Sequence, residues 1–416
     1  MPDPELPTLT AEQTAARLGI KLETLYAYVA RGRLRRTRGP DGSAFDPLDV
    51  ERFAAARRSR TQPDSRVQGQ SDGRPLMVIE TDLTLIEDGR LFFRGRDATE
   101  LAERESFEQV AHWLLAGVDD PGARFHAHRD AVARARAVAD AMPASATLRD
   151  RQQVAVTTLA ALDPLRHSLD PDTVVSAGEA LVAGMVAALP DTGPAPVPGT
   201  GAREPRIADL LWAKLTPQPP GAAGIAALNA ALVLLIDHDM AISTLAARAA
   251  ASARANAYAV VTAGLGALDS LLHGNASVEA ARMLARIVSG ESPERVVADT
   301  VAARRGAVPG FGQALYPGID PRARAILGML RAVDGAEPVL DAVERTTRML
   351  GVRTGAHPNV DFGLGALTLA TGMAADAGEV IFATARSVGW IAHALAEYQE
   401  RPLRLRPVGR YVERLS

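Results

Sequence analysis

The sequence predicts a mostly α-helical protein in which a small basic module precedes a larger acidic body. Alanine-rich segments with helical periodicity dominate the chain from residue 76 onward. Predicted strands are confined to short hairpins, one in the basic module and one near residues 77–93. Residues 8–60 carry eleven basic and six acidic side chains, a net charge of +5, whereas the whole chain of 416 residues carries −3.

The composition excludes several classes of protein. The chain has no cysteine, which excludes disulfides, zinc clusters built on thiolates and cysteine nucleophiles. The N-terminal stretch MPDPELPTLTAEQ is acidic and polar, where a signal peptide needs a basic start and an apolar core. The longest apolar run, Ile225–Ile236 with Asn229 as its one interruption, is shorter than the roughly 20 residues that a membrane span needs. We therefore expect a cytoplasmic protein with no membrane partner and no bound metal.

The basic module opens with a helix-turn-helix pattern. Thr10 can cap a first helix, which Gly19 ends. A short turn then leads into a second helix at Leu22–Ala30. The residues on either side of the Gly39–Gly42 turn predict a hairpin, and Asp46–Pro47 begins another helix.

This order of elements resembles the winged helix-turn-helix domains of the MerR and excisionase type. The resemblance implies that residues 1–60 form a module that binds double-stranded DNA. The second helix would face the groove and the hairpin would contact phosphates, through Thr24, Tyr26, Arg33, Arg35, Arg36 and Arg38. Helix-turn-helix modules also serve as protein–protein contacts, and arginine runs often only solvate a surface, so the sequence leaves both interpretations open.

A linker and a helical body are predicted after this module. Residues 61–75 combine Gln, Ser, Gly, Asp and Pro without apolar periodicity, which is typical of a solvated linker. The body covers residues 76–416, and LTLIEDGRLFFRG predicts a hairpin that turns at Glu87–Gly89. Periodic segments predict helices around residues 181–189, 225–236, 241–257, 278–288, 322–333 and 341–351.

Residues that can perform chemistry are sparse in the body and lie in a few short segments. They are His238 in LIDHDMAIST, His273 in LLHGNAS, Gln313 and Arg322 in VPGFGQALYPGIDPR, Asp361 in HPNVDFGLG, Arg386 in ARSVGW and Arg406 in RLRPVGRY. Taken singly, each has an ordinary structural explanation, such as a helix cap or a solvated charge. Their common order along the chain is the informative feature.

Seven segments of the body, in matching order and spacing, resemble citrate synthases. They include IEDGRLFFRGRDATELAERESFEQVAHWLLAG, DHDMAISTLAAR, LLHGNA, VPGFGQALYPGIDPRA, PNVDFGLG, RSVGWIAHALAEY and RPVGRYVE. The resemblance implies a citrate synthase fold, a mostly α-helical body with a large domain, an inserted small domain at about residues 278–370, and an active site in the cleft between them. It also implies a homodimer in which an arginine near the C-terminus completes the neighbouring subunit's site.

The resemblance also assigns roles, because the family condenses acetyl-CoA with oxaloacetate. Asp361 matches the base that takes a methyl proton, and His273 matches the donor that stabilises the enolate. The residues that match oxaloacetate ligands are His238, Arg322, Arg386 and Arg406. The residues that match the turn beside the adenine of CoA are Val308, Gly310, Phe311 and Gly312. A CoA thioester, acetyl-CoA or another short acyl-CoA, would be a co-substrate, and no bound cofactor is implied.

Gln313 departs from the family pattern. Citrate synthases have a histidine after the GFG sequence, which protonates the ketone oxygen. An amide donates a hydrogen bond but transfers no proton at neutral pH, and such a transfer contributes about 10²–10⁴-fold in rate. The sequence therefore predicts an acyltransferase of the citrate synthase or 2-methylcitrate synthase type whose activity Gln313 weakens. The alternative is a DNA-binding regulator in which a citrate synthase-like dimer senses an oxoacid or an acyl-CoA.

Overall fold

The computed structural model describes residues 7–39, 42–60, 78–194, 204–270, 276–303, 308–312, 315–409 and 411. The predicted linker at 61–75 and the candidate residues His273 and Gln313 lie outside this described part. Within it, no helix combines the length and the apolar character that crossing a membrane would require.

The N-terminal module has helices and strands where the sequence predicts them. They are β1 (Leu9–Thr10), α1 (Ala11–Leu18), α2 (Leu22–Ala30), β2 (Thr37–Gly39), β3 (Gly42–Phe45) and α3 (Pro47–Arg60). Strand β3 pairs antiparallel with both β1 and β2. The Thr10 hydroxyl accepts a hydrogen bond from the backbone of Gln13, and the Gln13 side chain accepts one from the backbone of Thr10, so the start of α1 is fixed. Gly19 ends α1 in the left-handed conformation, with φ of 61°.

A three-stranded antiparallel sheet opens the body. Its strands are β4 (Thr84–Glu87), β5 (Arg90–Phe93) and β6 (Arg96–Asp97). Glu87 pairs with Arg90 across the β4–β5 turn, whose two residues, Asp88 and Gly89, have φ of 50° and 73°. Two positive φ angles in a two-residue turn suit the right-handed twist of a hairpin. The hairpin predicted at this turn is confirmed.

Helices make up most of the remaining described body. They are α4 (Ala98–Arg104), α5 (Phe107–Ala116), α6 (Arg129–Asp140), α7 (Leu148–Leu162), α8 (Pro171–Ala187), α9 (Ile207–Leu215), α10 (Ala222–Leu235), α11 (Ile242–Ser252), α12 (Ala257–Leu268), α13 (Ala276–Val288), α14 (Pro293–Ala303), α15 (Pro321–Met329), α16 (Glu337–Thr354), α17 (Val360–Ala370) and α18 (Ala377–Tyr398), with a 3₁₀ turn at Leu330–Ala332. The prediction of one helix over residues 241–257 is wrong. Arg254 takes a φ of 63° after α11, and the Asn256 side chain caps a new helix, α12.

Helix α18 is the centre of the body. It packs against α5, α7, α8, α10, α11, α12, α13 and α17. Its side chains are buried without interruption from Ala383 to Ala394. The closest approach is at Gly389, where an added Cβ would lie 2.1 Å from the carbonyl oxygen of Ile236, just after α10. Glycine at this position therefore allows the end of α10 to lie directly on α18.

The N-terminal module packs against the body through α3, which contacts α14 and α16. Nη2 of Arg353, in the last turn of α16, donates a hydrogen bond to Oδ2 of Asp46 at 2.7 Å. Asp46 also accepts from the backbone of Leu48 and so holds the start of α3. Both members of the ion pair are about one third exposed, at 34% and 37%, so the pair adds specificity to this contact more than stability.

The contact at Gly389 predicts that two glycine-to-alanine changes alter the free energy of unfolding in opposite directions. Gly389→Ala should lower the free energy of unfolding by about 1–3 kcal/mol, because the new methyl group overlaps the Ile236 carbonyl. Gly351→Ala is the matched control, since Gly351 lies inside α16 with no heavy atom within 4 Å of its added Cβ. It should raise the free energy of unfolding by up to about 1 kcal/mol through helix propensity. Urea denaturation of both variants measures the two effects, and equal midpoints would contradict this account.

Candidate active site

The buried candidate residues come together where α10, α15, α17 and α18 pack against one another. His238 lies in the connection that follows α10, and Arg322 lies in the first turn of α15. Asp361 lies in the first turn of α17, and Arg386 lies in the buried part of α18. The sequence separates these residues widely, and the packing of four helices brings them into one cluster.

Arg322 is held by a carboxylate from its own helix start. Its Nε and Nη2 donate to the two oxygens of Asp320 at 3.1 and 2.7 Å. Asp320 is fully buried, caps α15 and also accepts from the backbone N–H of Val360 at 3.2 Å. One carboxylate therefore fixes the guanidinium group and joins the start of α15 to the start of α17.

Asp361 is a partly buried carboxylate with a raised pKa. It is half-buried, and Asn359 caps its helix by accepting from the Asp361 backbone N–H at 3.0 Å. Desolvation raises the pKa of the Asp361 carboxyl to about 6, against the opposing effect of the Arg322 charge. A carboxylate with this pKa is ionised at neutral pH but is a stronger base than an exposed one.

His238 is a neutral hydrogen-bonding group. Its Nε2 lies 2.9 Å from Oη of Tyr316, and the two ring centroids are 5.6 Å apart. Burial lowers the pKa of His238 well below its ordinary value, and the charges of Arg322 and Arg386 lower it further. The imidazole is therefore uncharged at neutral pH.

Arg386 is almost completely buried and has a buried counter-charge. Its Nε donates to the carbonyl of Leu235 at 2.9 Å, and its guanidinium carbon lies 4.6 Å from the ring centroid of Phe382. Desolvation lowers the pKa of Arg386 to about 10, although the negative charge of Asp237 opposes this change. Arg386 therefore remains a cation at neutral pH.

The Val308–Gly312 turn lies against the first turn of α17. Gly310 and Gly312 have φ of 78° and 84°, and an added Cβ at Gly310 would lie 2.7 Å from Cβ of Phe362. Asn359 joins the two segments, because its backbone N–H donates to the Gly310 carbonyl at 2.9 Å and its side chain donates to the Gly312 carbonyl at 3.1 Å. Glycine is therefore required for this close approach of two backbones.

Three of the predicted residues are not part of the described cluster. His273 and Gln313 lie outside the described residues. Arg406 is described, but its side chain is exposed in the segment that follows α18. Across the described ranges, no group of three or more His, Cys, Asp and Glu side chains is arranged to hold a metal ion.

The sequence reasoning missed three residues of the cluster, namely Tyr316, Asp320 and Asp237. Each lies within a segment that the sequence singled out, VPGFGQALYPGIDPR or LIDHDMAIST. A signal was available, since a buried arginine or histidine needs a polar partner and the nearest polar residues along the chain are the first candidates.

Comparison with protein families identifies the body. The family described as citrate synthase, C-terminal domain, matches residues 74–408, so the match begins beyond the N-terminal module. A citrate synthase of Acidithiobacillus ferridurans is 31% identical over 337 residues, which cover 73% of this chain and 85% of the relative. A citrate synthase of Haloferax volcanii is 29% identical over 357 residues, which cover 81% of this chain and 93% of the relative.

Solved structures show the same fold. A citrate synthase of Thermoplasma acidophilum, solved in a ternary complex with carboxymethyl coenzyme A and oxaloacetate, has a TM-score of 0.67 at 21% identity, covering 82% of this chain and 95% of that chain. A citrate synthase of Pyrobaculum aerophilum has a TM-score of 0.66 at 22% identity, covering 91% of this chain and 95% of that chain. The predicted citrate synthase fold is confirmed, and the chain belongs to the citrate synthase family.

Proposed function

We propose that the chain is a citrate synthase-type acyltransferase that condenses acetyl-CoA, or another short acyl-CoA, with oxaloacetate. The observation that carries this proposal is the cluster of two buried guanidinium groups, a neutral histidine and a carboxylate whose pKa is raised to about 6. Two neighbouring buried cations favour a dianionic ligand, because planar guanidinium groups pair with carboxylates through two hydrogen bonds. Oxaloacetate supplies two carboxylates and a ketone.

In the proposed oxoacid site the two arginines supply positive charge, and His238 supplies a neutral hydrogen-bonding group. Arg322 and Arg386 would bind the carboxylates. Before the ligand arrives, Asp320 holds Arg322 and the Leu235 carbonyl accepts a hydrogen bond from Arg386. His238 is uncharged, so it would contribute a hydrogen bond without adding a third positive charge. A preorganised site of this kind loses little free energy to reorganisation when the ligand binds.

The proposed reaction begins with proton transfer to Asp361. Its carboxylate takes a proton from the methyl carbon of the thioester while His273 donates a hydrogen bond to the developing enolate oxygen. The carbon then attacks the ketone carbon of oxaloacetate, and the resulting alkoxide oxygen takes up a proton from water. Water hydrolyses the resulting thioester and releases CoA thiol. Gln313 would polarise the ketone by hydrogen bonding without supplying the proton, so we expect slow turnover.

The remaining parts of the proposal concern CoA and assembly. The adenine of CoA would lie on the Val308–Gly312 turn, directly beside the helix that carries Asp361.

The chain would act as a homodimer, and the exposed position of Arg406 suits a residue that reaches a neighbouring subunit. The helices α13, α14, α16 and α17 pack together and would form the small domain of the cleft. No prosthetic group or resident metal enters this proposal.

A second proposal concerns the N-terminal module. We infer that it binds double-stranded DNA, because its hairpin side presents Arg33, Arg35, Arg36 and Arg38 as exposed side chains. Tyr26 of α2 is also exposed, at 41%, and Thr24 is half-buried. The ring of Tyr28, on the same helix, packs on Phe53 with the centroids 5.0 Å apart. With such a module, the body would serve as a sensor of an oxoacid or an acyl-CoA.

The base assignment predicts the effect of Asp361→Asn. Loss of the base should lower kcat for CoA thiol release by about 10²–10⁴-fold, while KM for oxaloacetate changes little. Asp341→Asn is the matched control, because Asp341 is an exposed α16 carboxylate that pairs only with Arg345 in the i,i+4 position among described side chains. Its rate should equal that of the natural protein. A rate for Asp361→Asn close to the control would contradict the assignment.

The pKa of Asp361 predicts a pH dependence. The rate at low substrate should fall about tenfold per pH unit below about pH 6, because the base must be ionised. The folded state raises the pKa of Asp361, so its ionised carboxylate lowers the free energy of unfolding above about pH 6. This loss of stability disappears as the pH falls toward the ordinary pKa of an aspartate. Asp361→Asn should therefore be more stable than the natural protein at pH 7 but not at pH 4. Thermal melts across this range measure the difference, and a constant difference would contradict it.

The role given to Gln313 predicts that Gln313→His accelerates CoA thiol release. A restored proton donor should raise kcat by up to about 10²–10⁴-fold. If neither the natural protein nor the variant releases CoA thiol while oxaloacetate still raises Tm, the enzyme proposal is wrong and the sensor proposal gains support.

The DNA proposal predicts salt-dependent binding. Replacing Arg35 and Arg36 by alanine should weaken DNA binding and reduce the slope of log K against log salt by about one per lost phosphate contact. The control Arg331→Ala, at an exposed position of the body, should leave binding unchanged. Electrophoretic mobility shift with DNA flanking the gene measures both, and no shift at low salt would contradict the proposal.

A further inference from the structure

A buried series of polar side chains runs from the candidate site to the segment after α18. Its members, which we call the polar chain, are Thr84, Asp237, His393, Arg248, Glu397 and Arg404. The four central members are each no more than 2% exposed. Replacing buried ionic groups by apolar ones of similar size is often neutral or stabilising, so a polar chain whose central members are this deeply buried suggests a role other than stability.

The site end of the polar chain is Asp237. Its Oδ2 accepts from Oγ1 of Thr84 at 2.6 Å and from Nε2 of His393 at 3.1 Å. Burial raises the pKa of the Asp237 carboxyl, but its electrostatic interaction and hydrogen bond with His393, the charge of Arg386 and the hydrogen bond from Thr84 outweigh this effect, so the pKa lies below the ordinary value. Asp237 is therefore an ionised counter-charge to Arg386, and it directly precedes His238 along the chain.

His393 is held in one orientation by its two neighbours. Nη1 of Arg248 lies 3.2 Å from Nδ1 of His393. A guanidinium group only donates hydrogen bonds, so Nδ1 must accept, and the ring proton is on Nε2, which donates to Asp237. The partners therefore assign the tautomer of His393 and aim its N–H at the counter-charge of the site.

The far end of the polar chain fixes the C-terminal segment. Glu397 accepts from Arg248 at 2.8 and 3.0 Å and from Arg404 at 2.6 and 2.8 Å. Ser252, at the end of α11, accepts from the backbone of Leu403 at 2.8 Å through its carbonyl. Arg248 and Ser252 of helix α11 therefore both contact the end of α18 or the segment that follows it. Helix α11 begins four residues after His238. The segment that bears exposed Arg406 is in this way connected to the oxoacid site.

We propose that His393 is a positioning residue for the oxoacid site. Through Asp237 it fixes the electrostatic environment of Arg386 and the backbone next to His238, and through Arg248 and Glu397 it links the site to the segment of Arg406. The proposal rests on the proposed function, because it takes the ligand of these groups to be oxaloacetate. It concerns the oxoacid and not the thioester, since none of the polar chain's described contacts involves the Val308–Gly312 turn.

The test compares substitutions along the polar chain. His393→Leu removes both hydrogen bonds, whereas His393→Gln retains an amide donor for Asp237 and a carbonyl acceptor for Arg248. Thr84→Val deletes one hydrogen bond to Asp237 at the half-buried end, where little damage to folding is expected. Thr157→Val is its matched control, because the Thr157 hydroxyl only returns to the carbonyl of Gln153 on an exposed helix face.

The measurements are kcat, the separate KM values for oxaloacetate and acetyl-CoA, and the rise of Tm on adding oxaloacetate. We expect KM for oxaloacetate to rise roughly tenfold in His393→Leu and roughly threefold in Thr84→Val, the scale of one hydrogen bond to a charged group or less. KM for acetyl-CoA should stay unchanged, and His393→Gln and Thr157→Val should behave like the natural protein. If His393→Leu does not fold, Thr84→Val and His393→Gln decide the question.

Two failures can be told apart. If the natural protein neither releases CoA thiol nor gains Tm with oxaloacetate, the proposed function is wrong and the positioning role falls with it. If the natural protein works but Thr84→Val and His393→Leu lower only Tm and leave KM for oxaloacetate unchanged, the polar chain is merely structural and this inference alone is wrong. A His393→Gln variant with a raised KM for oxaloacetate would also overturn it.

Discussion

The desolvation of two guanidinium groups is the constraint on which the site depends. Arg322 and Arg386 are buried near one another, and each lowers the pKa of His238. A buried cation is strongly unfavourable unless a carboxylate compensates it. Asp320 provides that compensation to Arg322 through direct hydrogen bonds, and Asp237 provides it to Arg386 through its negative charge.

The same two carboxylates also hold the surrounding helices together. Asp320 joins the start of α15 to the start of α17, which places Arg322 beside the helix of Asp361. Asp237 joins strand β4 to α18 through Thr84 and His393. The electrostatic compensation of the site and its architecture therefore rest on the same contacts.

The N-terminal module lies before the start of the family match, and it packs against the body. Its helix α3 packs against α14 and α16. Helix α16 ends at Thr354 and is followed by the segment that holds the Val308–Gly312 turn and leads to Asp361. The module therefore packs on the helix that precedes the segment of Asp361.

The sequence by itself determined the local structure, the family and the main candidate residues. Thr10, Gly19 and the Asp88–Gly89 turn carry their signals within a few residues, so element boundaries near them were predictable. Candidate residues inside short motifs were found in the same way, although His273 and Gln313 lie outside the described part. The break between α11 and α12 was not predicted, because an alanine-rich segment continues the helical pattern across the Arg254 turn.

Only the tertiary structure decided how the candidate residues are paired. His393 meets Asp237 across 156 positions, and His238 meets Tyr316 across 78. No local pattern encodes such contacts, because they arise when helices distant in sequence pack together. Burial then decides chemistry that composition cannot, since it raises the pKa of Asp361 and lowers that of His238. The groups packed around Asp237 lower its pKa against the effect of burial, so this carboxylate is the counter-charge of a buried arginine.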